Sequence, residues 1–149
     1  NSIITEETKR QPDSESGKQL LEAELILQSN PNFKTTVIRF GGLIGEDRHP
    51  IHFLAGRQNL ENPEVPINLI HQIDCLGIIE SIIKKDCIGE TFNAVTPFHP
   101  TRKDYYTQKA ITFQLPLPEF DENKPSVGKT ILSDKIEAIL DYEFQNKTL

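Results

Sequence analysis

Methionine and tryptophan are both missing from the 149 residues, and cysteine occurs only twice, at Cys75 and Cys87. Two distant cysteines cannot build a disulfide framework, and a zinc site needs more ligands, so they read as reduced, mostly buried thiols. No apolar run approaches the roughly 20 residues that a membrane span needs. No charged-then-apolar leader opens the chain, so nothing marks it for secretion and a cytoplasmic setting is expected. Cationic clusters are lacking too. The formal net charge is −6 and Lys84-Lys85 is too short to count as a basic patch, which argues against nucleic acid as a partner. The absence of methionine, with Asn1 at the start, suggests a piece of a longer protein.

What is present is a modestly apolar chain, 36% hydrophobic and 26% charged, long enough for one domain with a core. Residues 1–16 are polar and aperiodic and read as a lead-in loop. Leu20, Leu21, Ala23, Leu25, Ile26 and Leu27 then repeat at helical spacing, and Asn30-Pro31 stops them. This predicts a helix over 17–29. Thr35 to Phe40 is a β-branched run closed by Gly41-Gly42, a strand of a parallel sheet. Residues 43–50 read as a glycine-broken loop, with a short helix at 51–55. Strands are expected at 67–70, 91–95 and 130–132, and helices at 74–85, 101–113 and 133–140. Asp74 is the expected cap of the first of these three helices, and Thr101 with Asp104 forms a capping box for the second. The alternation of helices and strands argues for an α/β fold with a partly parallel sheet.

A phosphate-cradling turn is not among these features. Gly41, Gly42 and Gly45 lead into a charged loop with Pro50, not into a helix N-terminus. His49 and His52 have spacing for a metal but no third ligand nearby. Arg39, inside an apolar strand, needs a partner, and Glu22 or Glu24 is the expected one. No serine sits on a strand-to-helix elbow, so no Ser-His-Asp arrangement is visible.

The order of motifs carries more than any one of them. Gly17-Lys18 with Glu22 and Glu24 is followed by Val37-Ile38-Arg39-Phe40-Gly41-Gly42-Leu43-Ile44-Gly45-Glu46-Asp47-Arg48. Then come Ile70-His71-Gln72-Ile73-Asp74, Thr91-Phe92-Asn93-Ala94-Val95 and Pro100-Thr101-Arg102-Lys103-Asp104-Tyr105-Tyr106. From about Thr5 to Phe144 this series resembles the second half of the NAD-dependent epimerase/dehydratase family, the extended or atypical short-chain dehydrogenases/reductases.

The resemblance implies the C-terminal part of a Rossmann-like doubly wound sheet with a small substrate-side α/β subdomain. Residues 17–45 would belong to the sheet and 46–149 mostly to the substrate side. NAD or NADP would be held by a missing N-terminal dinucleotide-binding half, and none is expected on this chain alone. Phe40, Gly41 and Gly42 would lie beside the nicotinamide, and Leu43, Arg48 and His71 near a small-molecule substrate. Lys18 would be the catalytic lysine of the family's Y-x-x-x-K pair, although Ser14 stands where the tyrosine belongs. Sugar-nucleotide members usually carry an arginine where this chain has Ile67, and the family often has a tyrosine where it has Ile44. The family also pairs through the helix matching 17–29, so a homodimer is expected. Two functions remain open. One is the substrate-side half of an oxidoreductase, inactive alone. The other is a non-catalytic module that senses a dinucleotide or binds a protein.

Overall fold

The computed structural model describes residues 2–149. Six short strands and five helices alternate along the chain. The strands are β1 (Ser2–Ile4), β2 (Val37–Phe40), β3 (Gly42–Ile44), β4 (Leu69–His71), β5 (Thr91–Ala94) and β6 (Lys129–Ile131). The helices are α1 (Glu15–Gln28), α2 (Ile51–Leu54), α3 (Gln72–Lys84), α4 (Arg102–Thr112) and α5 (Asp134–Leu140). The strands pair two by two as β1 with β6, β2 with β5, and β3 with β4, and every pairing is parallel. The expected α/β class with parallel strands is what forms.

The α3 periodicity folds as its spacing dictates. Cys75, Ile78 and Ile82 fall on one face and are buried against Phe92 of β5 and Ile136 and Leu140 of α5. A second core gathers Ile51 of α2, Leu69 of β4 and Tyr105, Tyr106 and Ala110 of α4. Thr101 caps α4, its side chain accepting from the Asp104 backbone N–H at 3.1 Å. Cys75 is buried and Cys87 half-buried, and the two are not joined.

Three expectations need correction. Residues 2–4, read as loop, form a strand, because their partner β6 lies at the other end of the chain. Leu43 and Ile44, also read as loop, belong to β3, which follows β2 after a single residue. The cap of α3 is not Asp74 but His71, whose Nδ1 accepts from the Ile73 backbone N–H at 3.2 Å. Asp74 is instead fully buried and anchors the C-terminal segment, accepting from Tyr142 Oη, the Gln145 and Asn146 backbone N–H groups and Asn146 Nδ2. Lys18, at the start of α1, faces Glu15 at 3.8 Å.

One edge of the sheet is closed and the other is open. Val37 and Gly41 donate to Glu90 and Ala94 carbonyls across the β2–β5 pair, so by alternation Ile38 and Phe40 direct their backbone groups to the outer edge of β2. No described strand pairs with that edge. The outer edge of β5 is blocked by side chains: Asn93 N–H donates to Glu6 Oε1 at 2.7 Å and Val95 N–H to Ser133 Oγ at 2.8 Å. Helix α1 has no buried residue, and Leu20 and Ile26 are 73% and 62% exposed. The open strand edge and the bare apolar helix are features of surface that normally lies under protein.

Candidate functional site

Two parallel strands end side by side at the candidate site. Chain direction takes β2 through Gly41 and Gly42 straight into β3, which pairs with β4. The two glycines are demanded by packing. A Cβ on Gly41 would sit 2.7 Å from the Asn68 carbonyl oxygen, and one on Gly42 would meet the Leu69 side chain at 2.7 Å. Beyond β3 the chain turns on itself between Gly45 and Arg48, whose backbones exchange hydrogen bonds at 2.9 and 3.2 Å. That turn carries Glu46, Asp47 and Arg48 outward, opposite the start of α3.

A cleft of about 490 Å³ lies between this turn and the His71–Cys75 segment. Its size is ordinary for a small-molecule site. Phe40, Leu43, Arg48 and His71, four of the seven residues singled out from sequence, line it together. Gly41, the single residue between β2 and β3, and Gly42, the first residue of β3, do not line it. Lys18 is apart, exposed on the first turn of α1 and lining neither this cleft nor the larger cavity under α1. Ser14 uses its Oγ to accept from Gly17 N–H at 3.1 Å and so caps α1.

His71 is one of several polar groups that line the cleft. Because its Nδ1 accepts from Ile73, the ring proton rests on Nε2, which is left to donate. Arg48 adds a cation at the turn, and Gln72 an amide. Sequence reading missed Glu46, Asp47, Gln72 and Cys75 as lining residues; their adjacency to Arg48 and His71 was the available signal. Burial, with Asp74 alongside, pushes the Cys75 thiol up, which keeps it protonated and a poor nucleophile. Ile67 is buried in the second core.

His49 is not a loop histidine. It is buried, with Nε2 2.9 Å from Tyr105 Oη and Nδ1 accepting from Ile51 N–H at 3.2 Å. Burial, then the nearby charges of Lys109 and His52, lowers it to about 4. His52 stacks on Phe113 instead of facing a shared ligand, and no metal-binding group of three or more ligands exists among the described residues. Arg39 meets Glu24, as expected, and Arg10 joins the same carboxylate.

Comparison with known structures settles the fold. A functionally unknown conserved protein from Silicibacter pomeroyi superposes with a TM-score of 0.82 at 23% identity, over 97% of this chain and 56% of that one. A dTDP-glucose 4,6-dehydratase from Bacillus anthracis, in complex with NAD, gives 0.79 at 17% identity, over 99% and 53%. A short-chain dehydrogenase/reductase superfamily protein from Agrobacterium tumefaciens with bound NAD gives 0.73 at 17%, over 96% and 56%. The chain has the NAD-dependent epimerase/dehydratase fold, in part. By sequence it is 34% identical to protein YeeZ of Escherichia coli K12 over 143 residues, 95% of this chain and 52% of the relative. The chain thus spans about half the length of the curated relative it matches. No protein-family model matches it. Among the described residues, no helix is long and apolar enough to cross a membrane.

Proposed function

We propose that this chain is the substrate-side half of an NAD(P)-dependent, epimerase/dehydratase-like oxidoreductase. The observation that carries this is the cleft at the β2–β3 strand ends, where Phe40, Leu43, Arg48 and His71 converge beside an unpaired strand edge. In open α/β sheets, ligands bind outside the carboxyl ends of strands. This chain's own residues do not fit the dinucleotide's diphosphate. Its Gly41-Gly42-x-x-Gly45 stretch runs into strand and turn, with no helix N-terminus to receive an anion.

In the assembled protein a nicotinamide held by the other half would exchange hydride with the substrate carbon. The work of this chain is positioning. Phe40 and Leu43 form an apolar wall that excludes water. His71 Nε2–H donates to a substrate oxygen, and Arg48 orients a polar or anionic group at the rim. The other half docks by adding a parallel strand to β2 and by covering Leu20 and Ile26 of α1.

The test is co-expression with the part of the E. coli relative that this chain does not cover. Amide exchange at Ile38 and Phe40 slows in the resulting complex if a strand adds to β2. Unchanged exchange at both positions in a formed complex would overturn the docking mode.

A second reading is favoured by Ser14 and Lys18. With the Ser14 hydroxyl engaged in capping and Lys18 paired to Glu15, this chain offers no hydroxyl–lysine proton relay. The fold then serves to sense a dinucleotide or bind a protein. Turnover of any carbonyl or hydroxyl substrate by the assembled protein sinks that reading.

A further inference from the structure

A second cavity, of about 710 Å³, lies between the lead-in segment, α1 and the β2–β5 pair. It shares only Phe40 with the cleft described above. Arg39 and Asn93 are register partners, so their side chains stand on the same face of the pair, and both line this cavity. Leu21 and Ile131 supply apolar wall.

Two independent features mark it as a ligand site. The first is Asn93. The residue is 3% exposed and its backbone N–H is satisfied by Glu6, yet its Nδ2 is buried without a hydrogen-bond partner. Buried amides almost always have partners, and an orphaned donor calls for an acceptor that is not part of the chain. The second is charge. The chain carries a net −6, but the cavity lining holds Lys9, Arg10, Arg39 and Lys129 against Asp13 and Glu24. Arg10 and Arg39 both bind Glu24, whereas Lys9 and Lys129 form no ion pair with any described residue. Even with Glu6 counted beside Asn93, the formal charge of these groups is positive.

We infer that this cavity binds a small monocarboxylate with an apolar body. Its carboxylate accepts the Asn93 Nδ2 proton and is balanced by Lys9 and Lys129, while the body lies on Leu21 and Ile131. A phosphate fits less well, because both arginine forks that would grip it are already held by Glu24.

Benzoate is a suitable probe. The isotopically labelled chain is titrated with sodium benzoate, with sodium chloride as the ionic control, and the Asn93 side-chain amide resonances are followed. The expected result is a saturable shift of that amide pair. Asn93→Asp, which removes the donor and adds a like charge, weakens binding by about tenfold or more. Lys129→Ala, at an exposed side chain, weakens it by a smaller factor and covers the case in which the Asn93 variant fails to fold. Three results would overturn the inference: no shift at Asn93, benzoate binding that Lys129→Ala leaves unchanged, or equal binding of the neutral analogue benzamide.

Discussion

The carboxylate of Asp74, on the first turn of α3, accepts the Tyr142 hydroxyl proton at 3.0 Å across 68 residues of chain. The same carboxylate takes the backbone N–H groups of Gln145 and Asn146 at 2.7 and 3.2 Å. It is a buried anion satisfied by neutral donors, and it ties the C-terminal segment to the helix that starts at His71. Asp74→Ala leaves these donors unpaired and is expected to cost about 2–4 kcal/mol in urea denaturation. Tyr142→Phe removes one donor only and costs about 1 kcal/mol. Gly77→Ala belongs to the same unit. Its new Cβ would lie 2.7 Å from Tyr142 Cε2, so it displaces the ring from Asp74 and destabilises.

Tyr142 also sets an alkaline limit. Burial, reinforced by Asp74, pushes it up from 10 to about 12. The unfolded chain therefore loses its tyrosine proton first, and stability falls as pH rises from about 10 to 12. Tyr142→Phe makes that limb shallower but does not abolish it, because burial also pushes Tyr105 and Tyr106 up. Equal alkaline slopes for the two proteins would refute it.

His49 acts at the other end of the pH scale. Its folded value of about 4 lies below the ordinary 6.5, so the unfolded chain binds the proton first. The stabilisation is complete above 6.5 and is lost as pH falls from there through 4. Glu24, held below its ordinary 4.5 by Arg39, loses its contribution only at lower pH. Denaturation midpoints at pH 7 and pH 5 thus isolate the histidine. The drop between them should shrink in His49→Gln.

These groups show what was legible in the sequence. The α3 face was, because Cys75, Ile78 and Ile82 bury locally and at helical spacing. The ion pair of Arg39 with Glu24 was, because a charge inside an apolar strand must be met nearby. The role of Asp74 was not, since aspartate is the ordinary N-cap and its true partners lie at 142–146. The strand β1 escaped for a similar reason, being three residues long with a partner at 129–131. The cleft was half legible. Phe40, Leu43, Arg48 and His71 came from motif order, but the acidic turn at Glu46 and Asp47 joined them only through the Gly45–Arg48 bridge.

His71 combines a structural and a site role, and two variants separate them. Asparagine can cap a helix, so His71→Asn should hold stability within about 0.5 kcal/mol, whereas His71→Ala loses about 1 kcal/mol. Both remove the Nε2–H donor, so both should lower turnover of the assembled protein. Full turnover in His71→Asn would remove His71 from the site.

The bare face of α1 should make the isolated chain associate. Sedimentation velocity should show concentration-dependent dimers or larger species, and Leu20→Glu with Ile26→Glu should return it to a monomer. Monomeric behaviour of the parent chain at high concentration would contradict this.

The most direct test of the account is NADH titration, followed by nicotinamide fluorescence, of the chain alone and of its complex with the complementary part of the E. coli relative. The account predicts no saturable binding by the chain alone and binding by the complex. Saturable NADH binding by the isolated chain would contradict it.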